Sequence, residues 1–119
     1  VIHRFTILGT LPGLNDMIGA ARTHWSASAT QKKNATEACA EAAEHLDRVK
    51  PPINVKIVWF EPNERRDVDN VVAGAKFILD GLVVAGKLVN DSRKQILGIT
   101  HAVVTDKTHP RIVVELEEV

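Results

Sequence analysis

Cysteine is almost absent from this chain: Cys39 is the only one in 119 residues. An internal disulfide is therefore excluded, and one Cys among scattered His residues makes no zinc pattern. Cys39 sits in an Ala-rich helical stretch, where a buried, inert thiol is expected. Such cysteine usage points to a cytoplasmic protein. No apolar run approaches the length that spans a bilayer, and no secretory leader is apparent, so a membrane is not an expected partner. There is no internal repeat and no low-complexity tract. Net charge is lacking too. Lys plus Arg number 15 and Asp plus Glu number 15, which counts against a strong general affinity for nucleic acid.

What is present suits one ordinary globular domain over residues 1–119, with 45% hydrophobic and 25% charged residues. The charges are unevenly placed. Arg65, Arg66, Lys76, Lys87, Arg93 and Lys94 cluster in the middle, while Glu115, Glu117 and Glu118 gather at the end. Divalent cations on the central aspartates would make that face positive in use, beyond what formal charge indicates.

Residues 3–10 alternate as a strand does, and "LPGLND" is a turn cluster leading into a loop with Arg22, His24 and Trp25. A long Ala- and Glu-rich helix is expected from Ser26 or Ser28 until Pro51 and Pro52 stop it. "INVKIVWF" (53–60) reads as a strand rich in β-branched residues, and a second helix runs from near Asp69 to Ala85, with Gly86 as its stop. "QILGITHAVVT" and "RIVVELEEV" read as two strands joined by "DKTHP" into a hairpin. The order β-α-β-α-β-β predicts an α+β fold, two helices on a small mixed sheet.

The chemistry concentrates in "RRDVDNVVAGAKFILD", Arg65 to Asp80. On a helical wheel with Asp69 at zero, Lys76 falls near −20° and Asp80 near +20°. Val71, Ala75, Ile78 and Leu82 fall opposite, as a core face would, while Val72, Leu79 and Val83 flank the strip. The plain reading is a solvated strip, with Asp67, Asp69 or Asn70 as N-cap and Lys76–Asp80 as an i,i+4 pair. Pattern alone favours it. The sharper reading is a cation site. Two carboxylates at a strand-to-helix junction, with Asp91 from the following loop, suit Mg²⁺, which retains waters and leaves room for a substrate phosphate. Such an ion activates water for phosphodiester hydrolysis, and a nearby lysine adds charge stabilisation. For Trp25, anchoring the loop to the core is the expectation and stacking on an unpaired base the alternative. Trp59 is expected in the core, while His101 and His109 are assigned no chemistry.

"RRDVDN", then Lys76 and Asp80, then "NDS" (90–92) together resemble the RusA family of Holliday junction resolvases. "LPGLND", "ARTHWSASATQKK" and "HPRIVVELEE" extend the likeness over nearly the whole chain. The resemblance implies a RusA-like homodimer that binds four-way DNA junctions and cuts two opposed strands with Mg²⁺, Mn²⁺ being able to substitute. It implies metal on Asp67, Asp69 and Asp91, and Lys76 at the scissile phosphate. It puts Arg65, Arg66, Arg93 and Lys94 on the flanking backbone, with Arg22, Lys32 and Lys33 as further DNA contacts. Recombination, repair and a prophage setting follow by analogy only. Two departures stand out. The family's lysine position is Ala73 here, with Lys76 three residues later, and one helical turn would keep it on the same face. Asn90 stands where the family often has Asp, which removes one negative charge and lends weight to Asp91. A junction-binding dimer with little or no nuclease activity, and a general branched-DNA nuclease, are the rival readings.

Overall fold

A computed structural model describes all 119 residues. In chain order the elements are β1 (Ile2–Leu8), α1 (Leu14–Thr23), α2 (Trp25–Ala43), β2 (Ile53–Glu61), α3 (Val68–Val72), α4 (Ala75–Val84), β3 (Ile96–Thr105) and β4 (Arg111–Glu118). The fold class is α+β, with one four-stranded mixed sheet ordered β1-β4-β2-β3.

The expected hairpin of the last two strands does not form. β4 lies between β1 and β2, antiparallel to both, while β3 pairs with β2 in parallel at the sheet edge. Burial explains the choice. β4 alternates strictly, with Ile112, Val114 and Leu116 buried, and it suits a central position. In β3 only Ile96 is buried, as befits an edge strand.

All helices lie on one face of the sheet. Ile53, Val55, Ile57 and Trp59 of β2, Phe5 and Ile7 of β1, and the inward residues of β4 meet Ala35, Cys39 and Ala43 of α2 and Phe77, Ile78 and Leu82 of α4. Small residues let α2 and α4 touch closely, because a side chain at Gly81 would strike Cys39 and the backbone of Ala40. Cys39 is buried as expected, and burial together with the Asp80 carboxylate pushes its thiol up to about 12.

Three helical expectations need correction. α1 occupies the stretch read as turn and loop, and it buries no residue completely, so it left little hydrophobic signal. α2 ends at Ala43, well before the prolines, because Leu46 and Val49 must turn into the core and the Val49 N–H donates to Lys87 O at 2.9 Å. The second helix is two helices, broken at Ala73–Gly74. Gly74 is the pinch point: a Cβ there would sit 3.3 Å from Leu11, Pro12 O and the Trp59 ring. Ala73 and Gly74 keep right-handed helical dihedrals, but the bonds there run i→i−3, so the 100° spacing used from Asp69 to Lys76 is not uniform across the break. The C-terminal stop is as expected. Gly86 has φ +72°, and the Lys87 and Gly86 N–H groups donate to Leu82 O and Val83 O, closing a Schellman cap.

Candidate functional site: a tied loop and a charged cleft

Strand alternation sends Glu61, the last residue of β2, into the core, where it is 5% exposed. A buried carboxylate needs a cation and full hydrogen bonding. Arg66 supplies both: its Nε donates to Glu61 Oε1 at 2.8 Å and its Nη2 to Oε2 at 2.9 Å. Its Nη1 donates to Leu11 O at 3.0 Å and lies 3.5 Å from Asp16 Oδ2. Asp16 accepts from the Gly13 N–H at 2.8 Å, and Asn70 Oδ1 accepts from the Asn15 N–H at 3.0 Å. A side chain at Gly13 would run into Asn70 and Arg66. The two motifs "LPGLND" and "RRDVDN" are thus knitted into one tie. Sequence reasoning missed Glu61 and the inward role of Arg66, although the odd-numbered burial register of β2 points at Glu61.

The tie leaves Arg65, Asp67 and Asp69 exposed on its outer side. Asp67 occupies the N-cap position of α3, yet its side chain makes no capping hydrogen bond. Asp69 Oδ1 accepts only from the adjacent Asn70 N–H, at 3.0 Å. Asp67 lines a shallow cavity of about 500 Å³ with Asn63, Arg66 and Thr105.

The other candidates meet elsewhere. Lys32 and Thr36 of α2, Lys76 and Asp80 of α4, and Asn90 and Asp91 of the next loop line a cleft of about 360 Å³. Lys76 Nζ is 3.8 Å from Asp80 Oδ2, a loose pair with the lysine side chain 65% exposed. Asn90 Oδ1 is engaged in its own turn, accepting from the Ser92 N–H at 3.0 Å. Thr36 Oγ1 is buried and lacks a hydrogen-bond partner. Lys33 lies beside Lys32 in an adjoining groove with Ala29, Glu37 and Val84. Arg22 stands in the last turn of α1, and Arg93 and Lys94 are exposed just before β3.

The structure therefore brings Asp91, Lys76 and Lys32 together and leaves Asp67 to a different cavity. The donor type suits a hard cation, since Asp67, Asp69 and Asp91 are all exposed carboxylates. Their arrangement does not, because no three His, Cys, Asp or Glu side chains are placed to hold a metal ion.

Other polar groups have structural partners. The Trp59 Nε1–H donates to His101 Nδ1 at 3.0 Å, and burial holds the His101 pKa below its usual value. Trp59 is in the core as expected, whereas Trp25 is 76% exposed and anchors nothing. No helix is long and apolar enough to cross a membrane. Compared with known proteins, the chain matches no family model and no curated sequence.

Proposed function

We propose that this chain is a RusA-like endodeoxyribonuclease that acts as a homodimer and resolves four-way DNA junctions by paired symmetric nicks. The observation that carries this reading is the cleft in which Asp91 and Lys76, eleven and four residues either side of Asp80, meet Lys32 from a separate helix. Lys76 supplies a mobile positive charge for a scissile phosphate, and the loose Asp80 contact costs little to release. Arg65, Arg93, Lys94, Arg22, Lys32 and Lys33 are exposed and fit backbone contacts, which position DNA without reading its sequence. Arg66 is better read as the tie that holds Asp67 and Asp69 in place. Mg²⁺ belongs to the proposal on sequence resemblance. No reaction step is built on it, because the three aspartates do not converge.

That same lack of convergence favours a second reading, a junction-binding dimer with weak or lost cleavage. One assay separates the two. Wild type and Asp69→Asn are compared on a synthetic mobile junction, with and without Mg²⁺. The nuclease reading expects paired nicks from wild type only with the metal, and binding without cleavage from Asp69→Asn. Equal cleavage by both proteins removes the metal-site assignment. Binding with no cleavage under any metal condition selects the second reading.

A further inference from the structure

Five aromatic side chains of the Phe and Trp type are present, and four have a structural place. Phe5, Phe77 and Trp59 are buried, and Phe60 lies beneath the Arg111 guanidinium, 3.8 Å from its ring centre. Trp25 is the exception at 76% exposure. Leaving an indole in water forgoes the burial that ordinarily stabilises a fold.

It is mounted on a capped helix end. Trp25 is the first residue of the 19-residue helix α2, and the preceding His24 caps that helix, with Nδ1 accepting from the Ser26 N–H at 3.1 Å. The Ser26 hydroxyl pairs with the same nitrogen at 2.6 Å, and the imidazole ring sits 5.6 Å from the indole. The ring therefore projects from a capped helix end.

The stretch of chain that carries it is one-signed. From Met17 to Thr36 there is no Asp or Glu, while Arg22, Lys32 and Lys33 give that stretch a charge of +3 in a chain of net zero. Position along α2 matters as well. At roughly 100° and 1.5 Å per residue, Lys32 lies within about 20° of Trp25 and some 10 Å farther along the helix. Thr36 follows about one turn on, and both residues line the cleft that holds Lys76 and Asp91. One stripe of α2 thus runs from an exposed indole, past a lysine, into the cleft.

We infer that Trp25 is a stacking platform for an unpaired base, in a single-stranded stretch of DNA whose backbone crosses Lys32 toward the Lys76–Asp91 cleft. An aromatic face accepts any base, and the lysine meets the phosphate between bases, which is the recurrent pairing in single-strand binding. The route into the cleft rests on the nuclease reading above; the stacking itself does not.

Trp25 is its own reporter, because Trp59 is fully buried and hydrogen-bonded to His101. The protein is titrated in EDTA with oligothymidylate of about 12 nucleotides, within the usual single-strand site size, and with a blunt duplex of equal charge. The expected result is quenching of indole emission by the single strand at concentrations where the duplex has little effect. Trp25→Ala should bind the single strand about 5- to 100-fold more weakly, the range that loss of one stacked base gives, and Trp25→Phe should recover most of it. Equal affinity of wild type and Trp25→Ala overturns the inference, as does equal quenching by the duplex or no binding of either DNA. An emission change produced by protein concentration alone, or by anionic vesicles and not by the oligonucleotide, also overturns it in favour of a second copy or a lipid surface. Quenching by single strands in a protein that never cuts a junction leaves the platform standing and removes the nuclease reading. Undiminished single-strand affinity in a Trp25→Ala protein that still cuts junctions does the reverse.

Discussion

The tie around Arg66 and the cleft around Lys76 contain similar charged residues and treat them in opposite ways. In the tie, every polar atom of the guanidinium is placed: two bonds under 3 Å to a buried carboxylate, one to a backbone oxygen, and a further acid alongside. In the cleft, the nearest ion pair is 3.8 Å long, Lys76 is largely in water, and Asp91 is exposed. A half-buried group with every nitrogen already bonded contributes to the fold and has little left for a ligand. An unsaturated, exposed group contributes little to the fold and is available. Two adjacent arginines therefore part company: Arg66 holds the loop, and Arg65 faces outward from it.

The comparison can be broken at the tie first. Arg66→Ala strands the Glu61 carboxylate in the core and should destabilise the protein by ~3–5 kcal/mol, as removal of one partner of a buried pair does. Urea unfolding measures it, and a loss under about 1 kcal/mol would mean the pair is effectively solvated. Gly13→Ala should cost less, roughly 1–3 kcal/mol, because the new methyl displaces Asn70 and Arg66 without removing a charge. Its hydrogen-exchange signature sharpens the point: the Asn15 amide, which donates to Asn70, should lose protection.

A smaller effect is expected in acid. The Lys50 N–H and His3 hold the Glu118 carboxyl below its ordinary value, and Arg111 and Thr108 do the same for Asp106. Groups whose folded pKa is depressed contribute stability that is fully present above the unfolded carboxylate value and is lost as pH falls through the lower folded one. The urea midpoint should therefore decline from about pH 4 downward, and Glu118→Gln should flatten that limb. An identical acid limb in the variant would show that Glu118 is not among the groups responsible.

Much of the fold was legible because burial imposes a period. β2 alternates over its whole length, α2 carries Ala35, Cys39 and Ala43 inward, and Gly86 marks a helix end. Strand neighbours were not legible. "DKTHP" joins β3 to β4 in sequence, but the strictly alternating β4 takes the centre and displaces β3 to the far side of β2. The break at Gly74 was hidden for a related reason. Ala73, Ala75 and Lys76 beside it are good helix formers, and the close approach of Leu11, Pro12 O and the Trp59 ring, which leaves no room for a side chain at Gly74, comes from other elements. In the candidate site, Asp67, Asp69, Lys76 and Asp91 stood out through their spacing. The division of labour between Arg65 and Arg66 depends on which way a side chain turns, and on a Glu five residues upstream.

The most direct test of that division is Lys76→Ala, measured twice. With a side chain 65% exposed in a loose pair, its loss should change unfolding free energy by less than about 1 kcal/mol. On a four-way junction with Mg²⁺, the same variant should cleave about 100-fold more slowly or worse, the scale on which a donor aimed at developing charge acts. Wild-type cleavage by a stable Lys76→Ala protein, or a loss of cleavage matched by a loss of folding, would contradict the assignment of the cleft to chemistry.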